Sequence, residues 1–199
     1  MYARVLTFTG VTDIDAAITF MRETALPVVQ SQRGYKGLTA SADREGGVLG
    51  ILSLWESEAD RDASESALGK TRQDAQGQFA TGLTVETFEE RVVQMTKPPE
   101  VGSRLMVTHI SMDPAKVDEN IEFFKTTVAP DIASNPGFRG LRNMINAQTG
   151  EGIVGAVWDD EQSMQAAAAA AMTRRPEAAS RGVNLGEPSY REIVFTDLR

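Results

Sequence analysis

His109 is the side chain of this 199-residue sequence that is most ready for proton transfer, and it is the only histidine. An imidazole has an ordinary pKa of about 6.5, so it can accept a proton near neutral pH without further tuning. A base of this kind could convert a phenol into the electron-rich phenolate that reacts with oxygen. His109 also lies near the end of a predicted strand, and a packed or surface histidine is the alternative interpretation.

Aromatic side chains could bind a planar substrate. Trp55 and Trp158 each end a predicted strand, and an indole offers a large apolar face and one hydrogen-bond donor. Phe20 and Phe123 fall at the margin of a predicted amphipathic helix, where they could line a pocket between helix and sheet. The alternative is structural, with the tryptophans anchoring strand–helix corners and the phenylalanines filling the core.

Polar side chains differ between the two halves of the sequence. Asn143, with Arg139 on the same predicted strand, could orient a substrate carbonyl, whereas the first half has Ala40 in place of Asn143. His109 likewise stands where the first half has Thr9. The hypothesis that follows is a single working pocket in the second half.

Two arginines occupy matched positions when the opening strands of the halves are aligned. They are Arg4 and Arg104. Either guanidinium could bind an anionic substrate group. The alternative is an ion pair with Glu90 or Glu192 on the neighbouring closing strand.

These residues belong to an internal repeat, which is the strongest organising signal in the sequence. At an offset of 103 residues, Pro27, Gly34, Gly37, Leu38 and Trp55 recur as Pro130, Gly137, Gly140, Leu141 and Trp158. The segment 97–102 contains a double proline and a glycine and is typical of an extended linker. The sequence therefore predicts a first domain at residues 1–96, a linker at 97–102 and a second domain at 103–199.

Each half has the pattern of a βαββαβ unit. Strand-like segments at 2–9 and 103–112 precede helices with apolar residues at helical spacing. Pro27 and Pro130 lie inside these helical patterns, where each should kink or end the helix because proline lacks a backbone donor. The order is that of the ferredoxin-like fold. The predicted class is α+β, with two ferredoxin-like halves forming an intrachain dimeric α+β barrel.

The composition excludes several kinds of protein and site. The absence of cysteine excludes disulfides, thiolate metal sites and cysteine nucleophiles. The net charge of −8 disfavours a nucleic-acid partner. No apolar run approaches the roughly 18 residues of a membrane-spanning helix, so no membrane partner is expected. The first residues do not show the pattern of a signal peptide, and a cytoplasmic location is expected.

Two segments carry a resemblance to a known family, and each half has a copy. They are Gly34-Tyr35-Lys36-Gly37 with Leu54-Trp55-Glu56-Ser57-Glu58, and Pro136-Gly137-Phe138-Arg139-Gly140 with Val157-Trp158-Asp159-Asp160. The sequence resembles, in two tandem copies, the antibiotic biosynthesis monooxygenase domain of the dimeric α+β barrel superfamily. That family includes cofactor-independent oxygenases of phenolic polyketides, haem-degrading enzymes and proteins without a known activity.

Position by position, this sequence departs from the catalytic members of the family. Quinone-forming members have an asparagine shortly before the tryptophan and a tyrosine shortly after it. Ile51 and Arg61 stand there in the first half, and Val154 and Met164 in the second. Haem-degrading members use a second tryptophan and a histidine beyond the first tryptophan, a pattern that neither half contains.

The resemblance implies a cofactor-independent, monooxygenase-like protein that binds a small aromatic or polyketide-like molecule. The alternative is a non-catalytic small-molecule-binding or stress-associated protein that keeps the fold. No cofactor or metal is expected, and a further homodimer of the pseudo-dimeric chain stays open. The predicted site consists of a catalytic His109 and the substrate-binding residues Trp55, Trp158, Asn143, Phe20 and Phe123.

Overall fold

The computed structural model describes residues 1–198. In the first sequence half, the strands are β1 (Tyr2–Thr9), β2 (Tyr35–Asp43), β3 (Val48–Trp55) and β4 (Gly82–Met95). The helices are α1 (Ile14–Phe20), α2 (Leu26–Gln30), α3 (Glu58–Ala63) and α4 (Glu65–Phe79), with a π-helical turn at Met21–Ala25 between α1 and α2.

The second sequence half repeats this order with small additions. Its strands are β5 (Arg104–Ser111), β6 (Phe138–Asn146), β7 (Glu151–Trp158), β8 (Asn184–Leu185) and β9 (Ser189–Thr196). Its helices are α5 (Val117–Phe123), α6 (Ala129–Ala133), α7 (Glu161–Met172) and α8 (Arg175–Ser180), with a 3₁₀ turn at Pro114–Lys116 and a π-helical turn at Phe124–Val128. The βαββαβ order is as predicted, whereas β8 and α8 were not predicted.

Side-chain caps explain where several helices begin. The Asp13 carboxylate accepts a hydrogen bond from the Ala16 N–H at 2.9 Å, and Asp113 accepts one from the Ala115 N–H at 2.9 Å. Asp160 caps α7 in the same way. A cap of this type stabilises a helix by about 1 kcal/mol because it pairs a backbone donor that the helix leaves unused.

The chain divides into two compact units. The first unit comprises Met1–Thr87 and the segment from Ile193 onward, and the second unit comprises Phe88–Glu192. Strands β4 and β9 are therefore each divided between the units. The domain boundaries predicted from the sequence repeat, 1–96 and 103–199, describe the repeat rather than these compact units, and they stay a prediction.

Each unit contains its own set of neighbouring strands and its own core. In the first unit, β1 lies between β3 and β4, and β2 lies between β3 and β9. In the second unit, β7 lies between β5 and β6, with β4 next to β6 and β9 next to β5. Apolar residues from the helices of each unit pack against one face of its sheet and form a separate hydrophobic cluster. The ferredoxin-like plan places a helix–sheet interface in each unit.

Strand register corrects the alignment of the opening strands. Tyr2 is paired with Trp55, and Arg104 is paired with Trp158. The structural counterpart of Arg104 is therefore Tyr2, and the counterpart of Arg4 is Met106. The prediction that Arg4 and Arg104 are matched is wrong because the sequence alignment placed one strand two residues out of register.

The sequence pattern predicted that a proline would kink or end the first helix of each half. In the structure, the proline does not end this helix. The Leu26 N–H, just before Pro27, donates to the Met21 carbonyl, five residues back. The Ala129 N–H, just before Pro130, donates to the Phe124 carbonyl in the same way. This π-helical turn widens the helix immediately before the proline, and the helix then continues as α2 or α6. The missing proline donor is thus accommodated rather than disruptive.

Candidate functional site

A cavity of about 150 Å³ lies in the second unit, between its helices and its sheet. The helix side of the wall comes from α5, the following π-helical turn, α7 and α8, and the sheet side comes from β5, β6 and β7. The sheet side consists of Met106, Thr108, Ile110, Asn143, Val154 and Trp158. Most lining side chains are apolar, so the cavity suits a molecule with a large apolar surface.

The π-helical turn contributes directly to this wall. Phe124 and Val128, at the two ends of the turn, both line the cavity. The corresponding turn of the first unit supplies Met21 and Ala25 to a smaller cavity there. Single π-helical turns inside α-helices occur frequently at functional sites, and here each one faces a cavity.

Two polar atoms of the second-unit wall are buried without a hydrogen-bond partner among residues 1–198. They are Asn143 Oδ1 and Trp158 Nε1. Asn143 is 1% exposed and Trp158 is 0% exposed. An unpaired buried polar atom costs about 1–3 kcal/mol. One atom is an acceptor and the other is a donor, so this wall contains an unused hydrogen-bonding group of each kind.

The unpaired indole has a specific origin in the sequence. In the first unit, Trp55 Nε1 donates to Ser53 Oγ at 3.1 Å. The position equivalent to Ser53 is Ala156, which lies opposite Met106 as Ser53 lies opposite Arg4. A methyl group cannot accept a hydrogen bond, so the loss of this hydroxyl leaves the second indole unpaired.

Replacement of Ala156 by serine is expected to restore this hydrogen bond and to stabilise the protein by about 1 kcal/mol, the usual net value for such a bond. The converse change, Ser53→Ala, should destabilise the protein by a similar amount. Urea unfolding of the two variants measures both effects. A stability loss in A156S, together with unchanged stability in S53A, would contradict the interpretation.

The structure separates the two predicted tryptophans. Trp158 lines the second-unit cavity and meets the ring of Phe138 edge-on, with centroids 6.4 Å apart. Trp55 is fully buried and meets the ring of Tyr35 edge-on at 5.9 Å. Trp55 belongs to the apolar core and is not among the residues that line the cavity of its unit in the described chain. Trp55 therefore has the position of a corner anchor.

His109 lies on β5 but outside the cavity wall. Its neighbours Thr108 and Ile110 are separated by one residue and both line the cavity. Since side chains alternate between the faces of a strand, His109 is on the opposite face of β5, and it is exposed. The catalytic role of His109 stays a prediction to which the cavity geometry lends no support.

Asn143 and Phe123 line the second-unit cavity. Their role in substrate binding stays a prediction. The Arg181 guanidinium carbon lies 3.4 Å from the centroid of the Phe123 ring. A cation over an aromatic face is attracted by the ring electrons. Arg181 and Glu177 also line the cavity. Sequence reasoning missed both because it did not predict α8, although the Arg175-Pro176 pair is a typical helix start.

Arg139 is committed to a structural role. Its Nε and one terminal nitrogen donate to the Pro98 carbonyl at 3.0 and 2.7 Å, and the other terminal nitrogen donates to Glu100 and Asp159. Hydrogen bonds from Lys97, and then from Arg139, lower the pKa of Asp159. Arg139 thus holds the linker segment, and these hydrogen bonds lend no support to the prediction that it orients a substrate carbonyl with Asn143.

The predicted arginine ion pairs have opposite outcomes. Arg104 contacts Glu192 at 3.4 Å, as predicted. Arg4 does not contact Glu90, which pairs instead with Arg142. Arg4 instead forms part of the cavity wall of the first unit, because its position on β1 faces the helices rather than the closing strand.

Phe20 lines the first-unit cavity, which has a volume of about 70 Å³. Its ring packs against that of Phe79, with centroids 5.4 Å apart. The sequence placed Phe20 and Phe123 at equivalent sites, and the structure confirms that both face a helix–sheet cavity. The two cavities differ in their polar residues.

Within residues 1–198, no helix has the length and apolarity needed to span a membrane. Nor do the described Asp, Glu and His side chains form a group of three or more that could hold a metal ion.

Sequence comparison finds relatives without an assigned activity. No protein-family model matches the chain. An uncharacterised protein of Mycobacterium tuberculosis is 25% identical over 166 residues, which are 83% of this chain and 74% of that protein. Another uncharacterised protein of the same organism is 26% identical over 133 residues, which are 67% of this chain and 56% of that protein.

Solved structures match the chain over almost its whole length. A proposed monooxygenase of Fusobacterium nucleatum has a TM-score of 0.73 and 12% identity, with 100% of this chain and 94% of that chain covered. An anthrone oxidase-like protein has a TM-score of 0.70 and 18% identity, covering 98% and 92%. A ferredoxin-fold protein of Listeria monocytogenes, related to antibiotic biosynthesis monooxygenases, has a TM-score of 0.57 and 6% identity, covering 97% and 95%.

The chain has the antibiotic biosynthesis monooxygenase-like fold. The predicted fold class, α+β with ferredoxin-like halves, is thereby confirmed. The arrangement of the two halves as an intrachain dimeric α+β barrel stays a prediction. Within the antibiotic biosynthesis monooxygenase-like fold, the chemistry of this chain has to be argued from its own cavities, because a common fold supports many functions.

Proposed function

We propose that the second-unit cavity binds a small, planar, largely apolar molecule of an aromatic or polyketide-like type. The observation that carries this proposal is the pair of unpaired atoms, Asn143 Oδ1 and Trp158 Nε1, in a largely apolar wall. A ligand with a hydroxyl and a carbonyl group could donate to the first atom and accept from the second. Its binding would recover part of the free energy that the unpaired atoms cost.

The ligand's shape follows from the rings around the same cavity. Trp158, Phe123 and Phe124 all line it, and flat apolar molecules pack well against aromatic side chains. The volume of about 150 Å³ suits a ligand of modest size. Charged groups lie on α8 and at its two ends, where Arg174, Glu177 and Arg181 line the cavity, so a polar substituent would be placed at that side.

A second candidate is a cofactor-independent monooxygenase, favoured by the similarity to an anthrone oxidase-like protein. In such a reaction, a base removes a proton from an activated methylene group. One atom of O₂ enters the product as a carbonyl oxygen, and the other leaves as water. The geometry supports binding better than this chemistry. Among the described residues that line the cavity, Glu177 is the one carboxylate, and it is exposed.

The proposal also covers the organisation, the cellular location and the partners of the whole chain. The two halves act as a pseudo-dimer within one chain, which the internal repeat supports. The chain works in the cytoplasm, which a composition without cysteine supports. Its partner is a small molecule rather than a nucleic acid or a membrane, in keeping with its net charge of −8.

Calorimetric titration with phenols, anthrones, quinones and haem tests the proposal. For a hydroxylated aromatic ligand, Trp158→Phe and Asn143→Leu should each weaken binding by about tenfold, because each removes one hydrogen bond worth about 1.4 kcal/mol. The control Trp55→Phe should leave binding unchanged. Unchanged affinity in both Trp158→Phe and Asn143→Leu would contradict the proposal. Oxygen uptake by the same ligands separates an oxygenase from a binding protein.

A further inference from the structure

The first-unit cavity differs in chemistry from the second. Its apolar wall includes Leu6, Phe8, Phe20 and Phe79. Two guanidinium groups, of Arg4 and Arg72, interrupt this apolar surface, and no carboxylate is among the lining residues within the described chain. A wall of this kind combines an apolar surface with positive charge.

Arg4 is a buried cation with mostly neutral partners. It is 4% exposed, and it donates to Ser64 Oγ at 2.8 Å and to the Arg61 carbonyl at 2.6 Å. Its guanidinium carbon lies 5.9 Å from the centroid of the Trp55 ring. Burial lowers the pKa of Arg4, and the neighbouring positive charge of Arg72 lowers it further. The Glu65 carboxylate acts in the opposite direction and raises this pKa.

Arg72 completes the positive wall from helix α4. One terminal nitrogen contacts Glu65, and the other, Nη1, is buried without a hydrogen-bond partner in the part of the chain that the structure describes. Glu65 also contacts Arg4 at 3.4 Å and is half-exposed. A single, partly solvated carboxylate thus serves two guanidinium groups. A buried donor on a charged group is costly to leave unpaired.

A nearby third arginine has carboxylate partners of its own. Arg61 pairs with Glu58 at 3.0 Å and with Asp62 at 2.8 Å. Both carboxylates are largely exposed, so water and salt screen them. None of these three residues is among those that line the cavity over residues 1–198.

Strand register shows that a positive charge on the sheet side of the cavity wall is particular to the first unit. The counterpart of Arg4 in the second unit is Met106, which lines the other cavity with an uncharged side chain. The two cavities occupy equivalent places in the repeat and differ in charge. They are therefore expected to accept different classes of molecule.

We propose that the first-unit cavity is a second binding site, specific for a small carboxylic acid with an apolar body. The carboxylate accepts a hydrogen bond from the unpaired Nη1 of Arg72 and is attracted by the charge of Arg4. The apolar body contacts Phe20 and Phe79. The volume of about 70 Å³ limits the buried part to a single ring or a short aliphatic chain. A charge-assisted hydrogen bond in a dry site is strong and selects anions over neutral analogues.

Calorimetric titration of the full chain with benzoate, and with benzyl alcohol as its neutral analogue, tests this site. Benzoate should bind, and benzyl alcohol should bind at least about tenfold more weakly, because it lacks the charge-assisted bond. Arg72→Met should weaken benzoate binding by about tenfold to a hundredfold on the same basis. The matched control is Lys70→Met, which removes a positive charge from an exposed position of the same helix. It should leave benzoate binding unchanged.

Arg4→Met provides a second test, because the equivalent position of the second unit already accommodates methionine. If this variant fails to fold by circular dichroism, the Arg72→Met result decides alone. Three results would overturn the proposal: no benzoate binding to the wild-type chain, equal affinity for benzoate and benzyl alcohol, or wild-type benzoate affinity in Arg72→Met. Since the proposed ligand of the second unit binds elsewhere, these results are independent of the proposed function.

Discussion

Replacement of Ala171 by phenylalanine is expected to abolish ligand binding in the second-unit cavity while the chain remains folded. Ala171 lies on α7, lines the cavity and is half-buried, so a larger side chain can extend into the empty space. The affinity should fall by about a hundredfold or more, equivalent to about 2.7 kcal/mol. Overfilling of a packed region costs about 1–3 kcal/mol of stability, and the cavity should reduce that cost.

The first unit supplies a matched control for this substitution. Ala75 lies on α4, lines the smaller cavity and is also half-buried. Ala75→Phe should leave binding in the second unit unchanged, and it should block benzoate in the first unit. Calorimetric titration of both variants with both ligands gives the result. Equal loss of both ligands in both variants would show that the cavities are not separate binding sites.

The Asp197 carboxylate is expected to contribute strongly to the stability of the folded protein. It accepts hydrogen bonds from the Tyr35 hydroxyl at 2.9 Å, from the Leu38 N–H and from Gln30 Nε2 at 3.0 Å. Asp197→Ala leaves these donors unpaired, and Leu38 is buried. The free energy of unfolding should fall by about 2–4 kcal/mol, since bonds to a charged group are worth more than neutral ones. Urea unfolding measures this loss.

The Tyr35 hydroxyl gives the same contact a signature in its pH dependence. Burial raises the pKa of Tyr35, and its hydrogen bond to Asp197 raises it further. A tyrosine in the unfolded chain ionises at about pH 10. Because the folded state holds this proton more tightly, the stability contributed by Tyr35 is complete below that pH and is lost as the pH rises above it. Tyr35→Phe should remove this alkaline loss, and an unchanged alkaline profile in Tyr35→Phe would exclude Tyr35 as its source.

Much of the fold could be predicted from local patterns. Apolar periodicity identified each strand and helix of the βαββαβ order, and repeated glycine and tryptophan residues identified the duplication. The division of β4 and β9 between two compact units could not be predicted in this way. Which strands pair depends on contacts between distant parts of the chain, and a repeat in sequence does not specify whether a closing strand serves one unit or two.

The candidate site was predictable only in part. Phe20, Phe123, Asn143 and Trp158 line cavities in the structure, and their role in substrate binding stays a prediction. His109 was predicted to be catalytic because an imidazole can accept a proton near neutral pH. Side chains alternate between the faces of a strand, and His109 lies on the face of β5 away from the cavity. The position of Arg4 in a cavity wall was not predicted, because the sequence alignment of the opening strands was two residues out of register.

The unequal environments of the two indoles give the protein an internal optical probe. Trp158 lines a cavity and has an unpaired N–H, whereas Trp55 is hydrogen-bonded within the core. Fluorescence from Trp55 should stay constant when an aromatic molecule enters the second unit, while emission from Trp158 should be quenched or shifted. A Trp55→Phe chain would therefore emit from Trp158 alone, and it would report occupancy of that cavity without any attached dye.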